Sequence, residues 1–251
     1  MKVSVITVVL NNKDYVEASI RSVLAQTYSG IEHIIIDGGS TDGTVDVIRR
    51  CNGKISQFIN EPDNGIYDAM NKGIRLATGD IIGILNSDDF YADENAVSEV
   101  VKEFEKKKVD SVFADLVFIK RDNPNKIVRY YKSSNFSPDK FRYGWMPAHP
   151  TFFAKHSVYK QYGMFRTDYK LASDYELLTR FLGKYKISYS YIPRVLIKMR
   201  TGGVSTKSFK NNIIHNREII RACAENGLET NFFRVYSKYF LKVFELLRRP
   251  K

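Results

Sequence analysis

Short apolar runs alternate with helix-like segments over the first hundred residues. The runs are rich in Val and Ile, which favours strands, and they cover residues 3–10, 31–36, 55–59 and 81–85. Between them apolar residues recur every three or four positions, which predicts helices at residues 14–25, 44–50 and 64–77. We expect Asp14 to cap the first helix. Apolar strands that alternate with helices are typical of a parallel sheet covered on both faces, so we predict an α/β fold built on a βαβαβαβ unit.

The pattern is less regular after residue 100. We predict a charged helix at residues 97–107, strands at 109–119, 152–153 and 187–197, a helix from Asp174, and a terminal helix from about 211 to 249. Residues 120–148 are polar and aromatic and contain Pro and Gly, which predicts a long surface excursion. The glycine pair in MRTGGVST predicts a mobile loop. We expect a domain over residues 1–205, with halves 1–100 and 101–205, and a helical extension over 206–251.

Acidic and amide side chains follow several of the predicted strands. The segment IIGILNSDDF is a buried strand that ends in two adjacent carboxylates, Asp88 and Asp89, while Asn11 and Asp37 follow other strands. Ligands of parallel sheets bind beyond the carboxyl ends of the strands. Two carboxylates there suit Mg²⁺ or Mn²⁺. The alternative is a helix N-cap or a turn, since Ser-Asp-Asp is a good capping sequence, and the spacing alone fits the metal site and this alternative equally well.

Three other segments could contribute to a site. DGGSTDGT, after the second strand, could hold a phosphate, but it fits neither GxGxxG nor GxxxxGK[ST], so we interpret it as a turn. Asp174 and Glu176 lie near a predicted helix start, where the helix dipole stabilises a carboxylate and where a general base is equally well placed. His149 in MPAHPTFF could be a ligand or a base, although a lone His is more often a plain loop residue.

Composition and charge are those of a globular protein with an uneven charge distribution. Hydrophobic residues make up 43% and charged residues 27%, and no run approaches 18 apolar residues, so we expect no transmembrane helix. Residues 1–100 carry 8 Lys and Arg against 15 Asp and Glu, whereas the remainder carries 31 against 13. An acidic half could hold a cation, and a basic half could meet an anionic surface, although solvated Lys-rich faces are the simpler explanation.

The compartment is predicted from the cysteines and the N-terminus. Two cysteines are too few for a disulfide framework, which favours a reducing compartment. The apolar run near the N-terminus lacks a small-residue cleavage site and alternates like a strand, so we expect no signal peptide. We therefore expect a cytoplasmic protein.

Two long segments resemble one enzyme family. The first is VSVITVVLNNKDYVEASIRSVLAQTYSGIEHIIIDGGSTDGT followed by NGIYDAMNKGIRLATGDIIGILNSDDF, and the second is HPTFFAKHSVYKQYGMFRTDYKLASDYELLTRFL. Both resemble the family 2 glycosyltransferases, which are inverting enzymes with the GT-A fold, a Rossmann-like and mostly parallel sheet flanked by helices. The likeness is dense over residues 3–92, thins over 93–145 and returns in the second, acceptor-side segment. The last forty residues or so resemble no segment of the family.

The resemblance implies a role for each matching residue. Residues 7–11, with Thr7, Val8 and Asn11, match the nucleotide-contacting loop, and Asp37 matches the aspartate that binds the nucleotide base. Asp89 matches the ligand of a Mn²⁺ or Mg²⁺ ion, and Asp88 matches the residue near the ribose and the metal.

The acceptor-side match concerns Asp174, which corresponds to the catalytic base. Two positions depart from the family. DDGS is here Asp37-Gly38-Gly39-Ser40, and Ser173 stands where the family has a Glu before the base. Arg200 and the loop TGGVST could close over the donor, and a plain surface hairpin explains them at least as well.

The resemblance implies a metal-assisted single displacement. The enzyme would transfer a hexose or N-acetylhexosamine from a nucleotide-diphosphate donor, by analogy a UDP-sugar. The acceptor would be a hydroxyl of a glycan or of a polyprenyl-diphosphate-linked glycan, in bacterial polysaccharide or lipopolysaccharide assembly. A nucleic-acid binder lacks sequence support because no RNA- or DNA-binding signature is present. A glycoside hydrolase with two carboxylates remains an alternative, and so does an inactive nucleotide-sugar-binding module, which the Ser173 departure keeps open.

The C-terminal segment NFFRVYSKYFLKVFELLRR predicts an amphipathic helix with a basic stripe. The stripe residues recur every three or four positions and are Arg234, Lys238, Lys242, Glu245 and Arg249. Such a helix could lie in the inner face of the cell membrane as a peripheral attachment. It could equally pack on the domain or on a second subunit in a homodimer.

Overall fold

Four parallel strands form the first half of the central sheet, as the sequence predicts. The computed structural model describes residues 1–51, 55–202 and 209–237. The strands are β1 (Val3–Val9), β2 (Ile31–Asp37), β3 (Gln57–Asn60) and β4 (Ile81–Asn86). They pair in the order β3-β2-β1-β4 with all neighbours parallel. Nearly every residue of β1 and β2 is buried, which explains why Val and Ile predominate in these strands.

Three helices connect these strands at the predicted places. They are α1 (Val16–Leu24), α2 (Thr44–Arg50) and α3 (Ile66–Leu76). The prediction that Asp14 caps α1 was wrong. The N-cap residue is Tyr15, which makes no side-chain capping bond. Instead, the backbone carbonyl of Asn12 accepts the N–H groups of Tyr15 and Val16, so a backbone turn starts this helix.

The second half extends the same sheet with mixed strands. The elements are β5 (Phe90–Tyr91), α4 (Ala96–Lys107), β6 (Ser111–Lys120), β7 (Asn123–Tyr131), β8 (Phe153–Lys155), α5 (His156–Tyr162), α6 (Ser173–Leu178), β9 (Tyr189–Arg200) and α7 (Phe209–Glu225). β8 joins β4 in antiparallel register, β6 lies beside β8 and runs parallel to β9, and β5 pairs with the end of β9. A π-helical turn, Thr179–Lys184, extends α6.

The predicted surface excursion at residues 120–148 is only partly correct. It contains β7, which pairs antiparallel with β6, and a 3₁₀ helix at Pro138–Tyr143. Most of β7 is exposed to solvent, including Ile127 and Val128. An exposed edge strand needs no apolar alternation, so its sequence resembles that of a loop although its backbone pairs with β6.

The C-terminal region is not one continuous helix. α7 ends at Glu225, Gly227 adopts a left-handed φ of 73°, and a second helical segment occupies residues 232–237. The backbone N–H of Leu228 bonds to the carbonyl of Cys223 at 2.8 Å, a closure typical of a glycine-terminated helix. Asn231 Oδ1 then accepts the N–H of Arg234 at 2.9 Å and caps the next segment.

Two predictions fall outside the part of the chain that the structure covers. Residues 203–208 of the loop predicted from the glycine pair lie outside the described residues, and the basic stripe is described only at Arg234. Within the described ranges, every helix is too short or too polar to cross a membrane.

Candidate active site

One large cavity opens at the carboxyl ends of β1 and β4, where a parallel sheet binds its ligands. Its volume is about 590 Å³. The strand ends are tied together because Asn12 Nδ2 donates to Ser87 Oγ at 2.8 Å. Other parts of the wall come from the start of α3, the segment after β7, the loop before α6, the start of α6 and the end of β9. Lining residues from these elements include Tyr67, His149, Lys170, Leu171, Asp174 and Arg200.

The structure brings together six of the nine residues singled out from the sequence. The six that line the cavity are Val8, Asn11, Asp88, His149, Asp174 and Arg200. Asp88 and Asp174 are far apart in the sequence, so their meeting on one cavity is a result of the fold. Thr7, Asp37 and Asp89 are buried beside the cavity without lining it.

The adjacent carboxylates Asp88 and Asp89 have different environments. Asp88 is half-buried on the cavity wall, whereas Asp89 is 1% exposed and its Oδ1 accepts the backbone N–H of Arg200 at 3.1 Å. Burial raises the pKa of Asp89 well above its usual range, and the charge of Asp88 adds to this effect. The resemblance assigned a metal to Asp89, but Asp88 is the carboxylate that faces the cavity.

The Ser-Asp-Asp segment does not cap a helix. Asn86 ends β4, and Phe90 already belongs to β5, so the two carboxylates occupy a tight turn between two strands. The backbone N–H of Asp89 donates to the carbonyl of Asn86 at 3.1 Å within this turn. The helix N-cap is therefore wrong and the turn, its stated alternative, is confirmed; this turn presents Asp88 at the sheet edge.

Arg200 places a fixed positive charge beside this turn. Its side chain lies between the rings of Tyr15 and Phe90, at 4.8 and 4.9 Å from their centroids, and its Nη1 donates to the Asp88 carbonyl at 2.5 Å. Burial lowers the pKa of Arg200, and the charges of Asp88 and Asp89 oppose that effect. Arginine keeps its proton in proteins, so this guanidinium is a permanent cation at the cavity.

Arg121 is a second cation at the cavity that sequence analysis missed. It lies in the turn between β6 and β7, and its guanidinium carbon is 4.4 Å from the centroid of the Tyr15 ring. The parallel pairing of β6 with β9, which aligns Ile119 with Arg200, brings this turn to the cavity. Two guanidiniums on the faces of one tyrosine make this edge of the site suitable for an anion such as a diphosphate.

Asp174 and His149 form a pair on the cavity wall. His149 Nδ1 lies 3.2 Å from Asp174 Oδ2, and both side chains are half-buried. The buried Tyr67 lies close to them. Burial raises the pKa of Tyr67 well above its usual range, and the negative charge of Asp174 raises it further. A carboxylate oriented by a histidine beside a protonated phenol is a suitable arrangement for a general base.

The remaining predicted residues have structural partners. Asp37 Oδ1 accepts the N–H groups of Gly39 and Ser40 at 3.1 and 2.8 Å, and its Oδ2 accepts Ser40 Oγ at 2.6 Å, which confirms the turn interpretation of this segment. Thr7 Oγ1 lies 3.0 Å from Nε2 of the buried His33. Asn11 lines the cavity and accepts the N–H of Thr41 with its Oδ1 at 2.9 Å.

His33 should make the protein less stable in mild acid. Burial lowers its pKa to about 4, whereas an unfolded histidine titrates near pH 6.5. The unfolded state therefore binds more protons between these values, so stability is complete above about pH 6.5 and falls as the pH is lowered towards 4. We expect a loss of about 2 kcal/mol between pH 7 and pH 5, measured by urea unfolding.

The control for this prediction is His33→Gln, which keeps a polar partner for Thr7 but does not titrate. The pH dependence that remains in this variant comes from other groups, which include His156, whose pKa burial also lowers, and Asp89, whose raised pKa acts in the opposite direction. The difference in unfolding free energy between wild type and variant isolates His33 and should change by about 2 kcal/mol. An equal pH slope in both proteins would show that another group is responsible.

Comparisons with known proteins agree with this geometry. The sequence profile of the family described as Glycosyl transferase family 2 matches residues 4–170. An uncharacterized glycosyltransferase of Mycobacterium tuberculosis is 35% identical over 181 residues, which cover 71% of this chain and 68% of that one.

Two solved glycosyltransferases have similar structures. S. aureus TarS superimposes with a TM-score of 0.70 at 17% identity, over 91% of this chain and 41% of the TarS chain, and its residues 1–349 are also known in complex with UDP-GlcNAc. The mannosyltransferase PcManGT from Pyrobaculum calidifontis, in complex with GDP-Man and Mn²⁺, gives a TM-score of 0.66 at 20% identity, over 89% and 63% of the two chains. The predicted GT-A fold is thus confirmed. The chain belongs to the family 2 glycosyltransferases.

Proposed function

We propose that this protein transfers a sugar, a hexose or N-acetylhexosamine, from a nucleoside-diphosphate donor to a hydroxyl group with inversion. The observation that carries the proposal is that Asp88, Asp174 and Arg200 line one cavity. A carboxylate and a guanidinium at the sheet edge suit a metal-bound diphosphate, and a carboxylate on another part of the wall suits a base. The complexes of TarS with UDP-GlcNAc and of PcManGT with GDP-Man support a nucleotide-sugar donor, and we favour UDP.

The residues present fit a divalent ion that the substrate helps to hold. No group of three or more His, Cys, Asp or Glu side chains in the described part of the chain could hold a metal by itself. Mg²⁺ and Mn²⁺ sites of this kind use one or two carboxylates together with substrate phosphates and water. Asp88 is the carboxylate in position to contribute. When bound, such an ion offsets negative charge that develops on the departing diphosphate.

Asp174 is the proposed base. Its Oδ2 would take the proton of the acceptor hydroxyl while the acceptor oxygen bonds to the anomeric carbon and the bond from that carbon to the diphosphate breaks. The attack comes from the face opposite the leaving group, so one displacement inverts the configuration. His149, 3.2 Å from Oδ2, holds the carboxylate in orientation, and Arg200 with Arg121 attracts the diphosphate.

A thermal-shift screen tests this function. UDP-, GDP- and dTDP-sugars are each added with and without Mn²⁺, and nucleotide release is then followed for the donor that stabilises the protein most. We expect metal-dependent stabilisation and turnover. Stabilisation without turnover, with water or any glycan as acceptor, would instead identify an inactive nucleotide-sugar-binding module, and the absence of any shift would contradict both.

We also propose that the acceptor is a glycan carried on a polyprenyl diphosphate, in bacterial polysaccharide or lipopolysaccharide assembly, and that the protein meets it at a membrane surface. Two adjacent aromatic side chains support this contact. Phe232 is 56% and Phe233 is 84% exposed, and Arg234 follows them directly. Exposed aromatic residues beside basic ones favour an interface of anionic lipid.

The double variant Phe232→Ser, Phe233→Ser should therefore bind anionic vesicles at least about tenfold more weakly, since each phenylalanine loses an estimated 1.5–3 kcal/mol of burial in the interface. Vesicle flotation measures the binding. Tyr185→Ser, at a 42% exposed position elsewhere on the surface, is the control and should bind as the wild type does. Equal flotation of all three proteins would eliminate the membrane contact.

A further inference from the structure

The loop between α5 and α6 forms one wall of the cavity and leads directly to Asp174. Phe165, Lys170 and Leu171 of this loop line the cavity. The backbone of the loop is held by side chains from other elements. On one side, Asn71 of α3 bonds to both backbone groups of Phe165, at 2.8 and 2.9 Å.

Glu218 of α7 holds the other end of the loop. Its carboxylate accepts three consecutive backbone N–H groups, from Lys170 at 2.7 Å, Leu171 at 2.8 Å and Ala172 at 2.9 Å. Hydrogen bonds to an ionised carboxylate are about twice as strong as those between neutral groups. Three such bonds to consecutive residues fix the path of the backbone over this stretch.

The last of these bonds sets the start of the helix that carries the base. Ala172 is the N-cap residue of α6, and its carbonyl accepts the N–H of Glu176 at 2.9 Å. Because Glu218 accepts the N–H of Ala172, both backbone groups of this residue are held. Asp174 follows two residues later, so a shift of Ala172 would move Asp174 relative to His149 and the donor.

Glu225, further along α7, contacts the outer segment of the same loop through side-chain partners. Glu225 accepts hydrogen bonds from Arg166 Nη1 and Tyr169 Oη, both at 2.7 Å, and from Arg221 Nε at 2.9 Å. These bonds help α7 pack on the loop but do not reach the backbone of residues 170–172. Glu225 therefore offers a matched control for Glu218 on the same helix.

We propose that Glu218 is a positioning residue that sets Asp174 and the acceptor-side wall for transfer, an inference that rests on the proposed function. Helix α7 lies outside residues 4–170, which match the family profile. It thus contributes to the site through the hydrogen bonds of Glu218 to the loop backbone. The donor side is formed by the ends of β1 and β4 and does not depend on this contact.

The test compares Glu218→Gln with Glu225→Gln. In Glu218→Gln, a neutral amide oxygen replaces the carboxylate, so we expect nucleotide release from the stabilising UDP-sugar to slow by about ten- to a hundredfold. Donor affinity should stay within about twofold of wild type. Hydrogen exchange at the amides of residues 170–172 should become faster, while the amides of α4 are unchanged. Glu225→Gln should retain turnover within about threefold.

Three results would overturn the role of Glu218. They are turnover within twofold of wild type in Glu218→Gln, an equal loss in Glu225→Gln, and a parallel loss of donor affinity. If Glu218→Gln fails to fold, Glu218→Asp keeps the charge but shortens the reach, and the same criteria apply to it. Wild-type protein that binds donor without turnover would overturn the proposed function as well, whereas an active wild type with an equally active variant would overturn the positioning role alone.

Discussion

Replacing Asp174 with asparagine should lower turnover by about 10²–10⁴-fold, the contribution expected of a general base. The amide has the shape of the carboxylate but cannot take a proton from the acceptor hydroxyl. The donor side of the cavity lies at the ends of β1 and β4, so donor affinity should stay within about twofold. Nucleotide release from the stabilising donor measures the first effect, and the thermal shift with donor and Mn²⁺ measures the second.

Asp139→Asn is the control for this experiment because its carboxylate is 88% exposed and lies outside the cavity. It should show wild-type turnover. Should Asp174→Asn keep full turnover, another residue is the base, and His149, at 3.2 Å from Asp174, would be the next to replace.

Replacing Asp88 with asparagine should weaken metal binding by at least about ten- to a hundredfold, the loss seen when even outer-shell partners of a metal are removed. The Mn²⁺-dependent part of the donor thermal shift should disappear, while the metal-free part remains. The fold should persist because Asp88 is only half-buried and its carbonyl, which Arg200 binds, is unchanged. Titration of Mn²⁺ in the presence of donor measures the change.

Asp89→Asn is the matched comparison, since the two carboxylates are adjacent but differently placed. Asp89 is buried and bound to the backbone N–H of Arg200, so an amide oxygen can keep that bond. We expect metal-dependent donor binding to change by less than about threefold. The opposite pattern, in which Asp89→Asn loses the metal and Asp88→Asn keeps it, would restore the assignment that the family resemblance gives.

The first half of the sheet and its helices are predictable because buried positions are mostly apolar and recur with the period of the strand or helix. β1 and β2 are covered on both faces, so Val and Ile predominate in them, and α3, one of the connecting helices, has one buried face. The sequence of β7 shows no such apolar pattern because this edge strand is mostly exposed to solvent. Asn226 and Gly227 favour the end of a helix after Glu225. We nevertheless predicted one continuous helix, because the apolar periodicity continues beyond these two residues.

The site was predictable only where residues lie at strand ends or within a recognisable motif. Asp88, Asp174 and His149 meet these conditions. Which of the two adjacent aspartates faces the cavity depends on the turn between β4 and β5, and the sequence does not show that turn. Arg121 and Glu218 were missed because contacts distant in the sequence bring them to the cavity and its loop. These contacts are the pairing of β6 with β9 and the packing of α7 on the loop.

The most direct test is a crystal structure with Mn²⁺ and a nucleoside diphosphate, in which anomalous scattering locates the metal. We expect a metal peak within coordination distance of the Asp88 carboxylate, about 2.0–2.6 Å, shared with the diphosphate oxygens, in the cavity that Asp174 also lines. A nucleotide and metal bound at another surface, with the edge of β4 vacant, would contradict it.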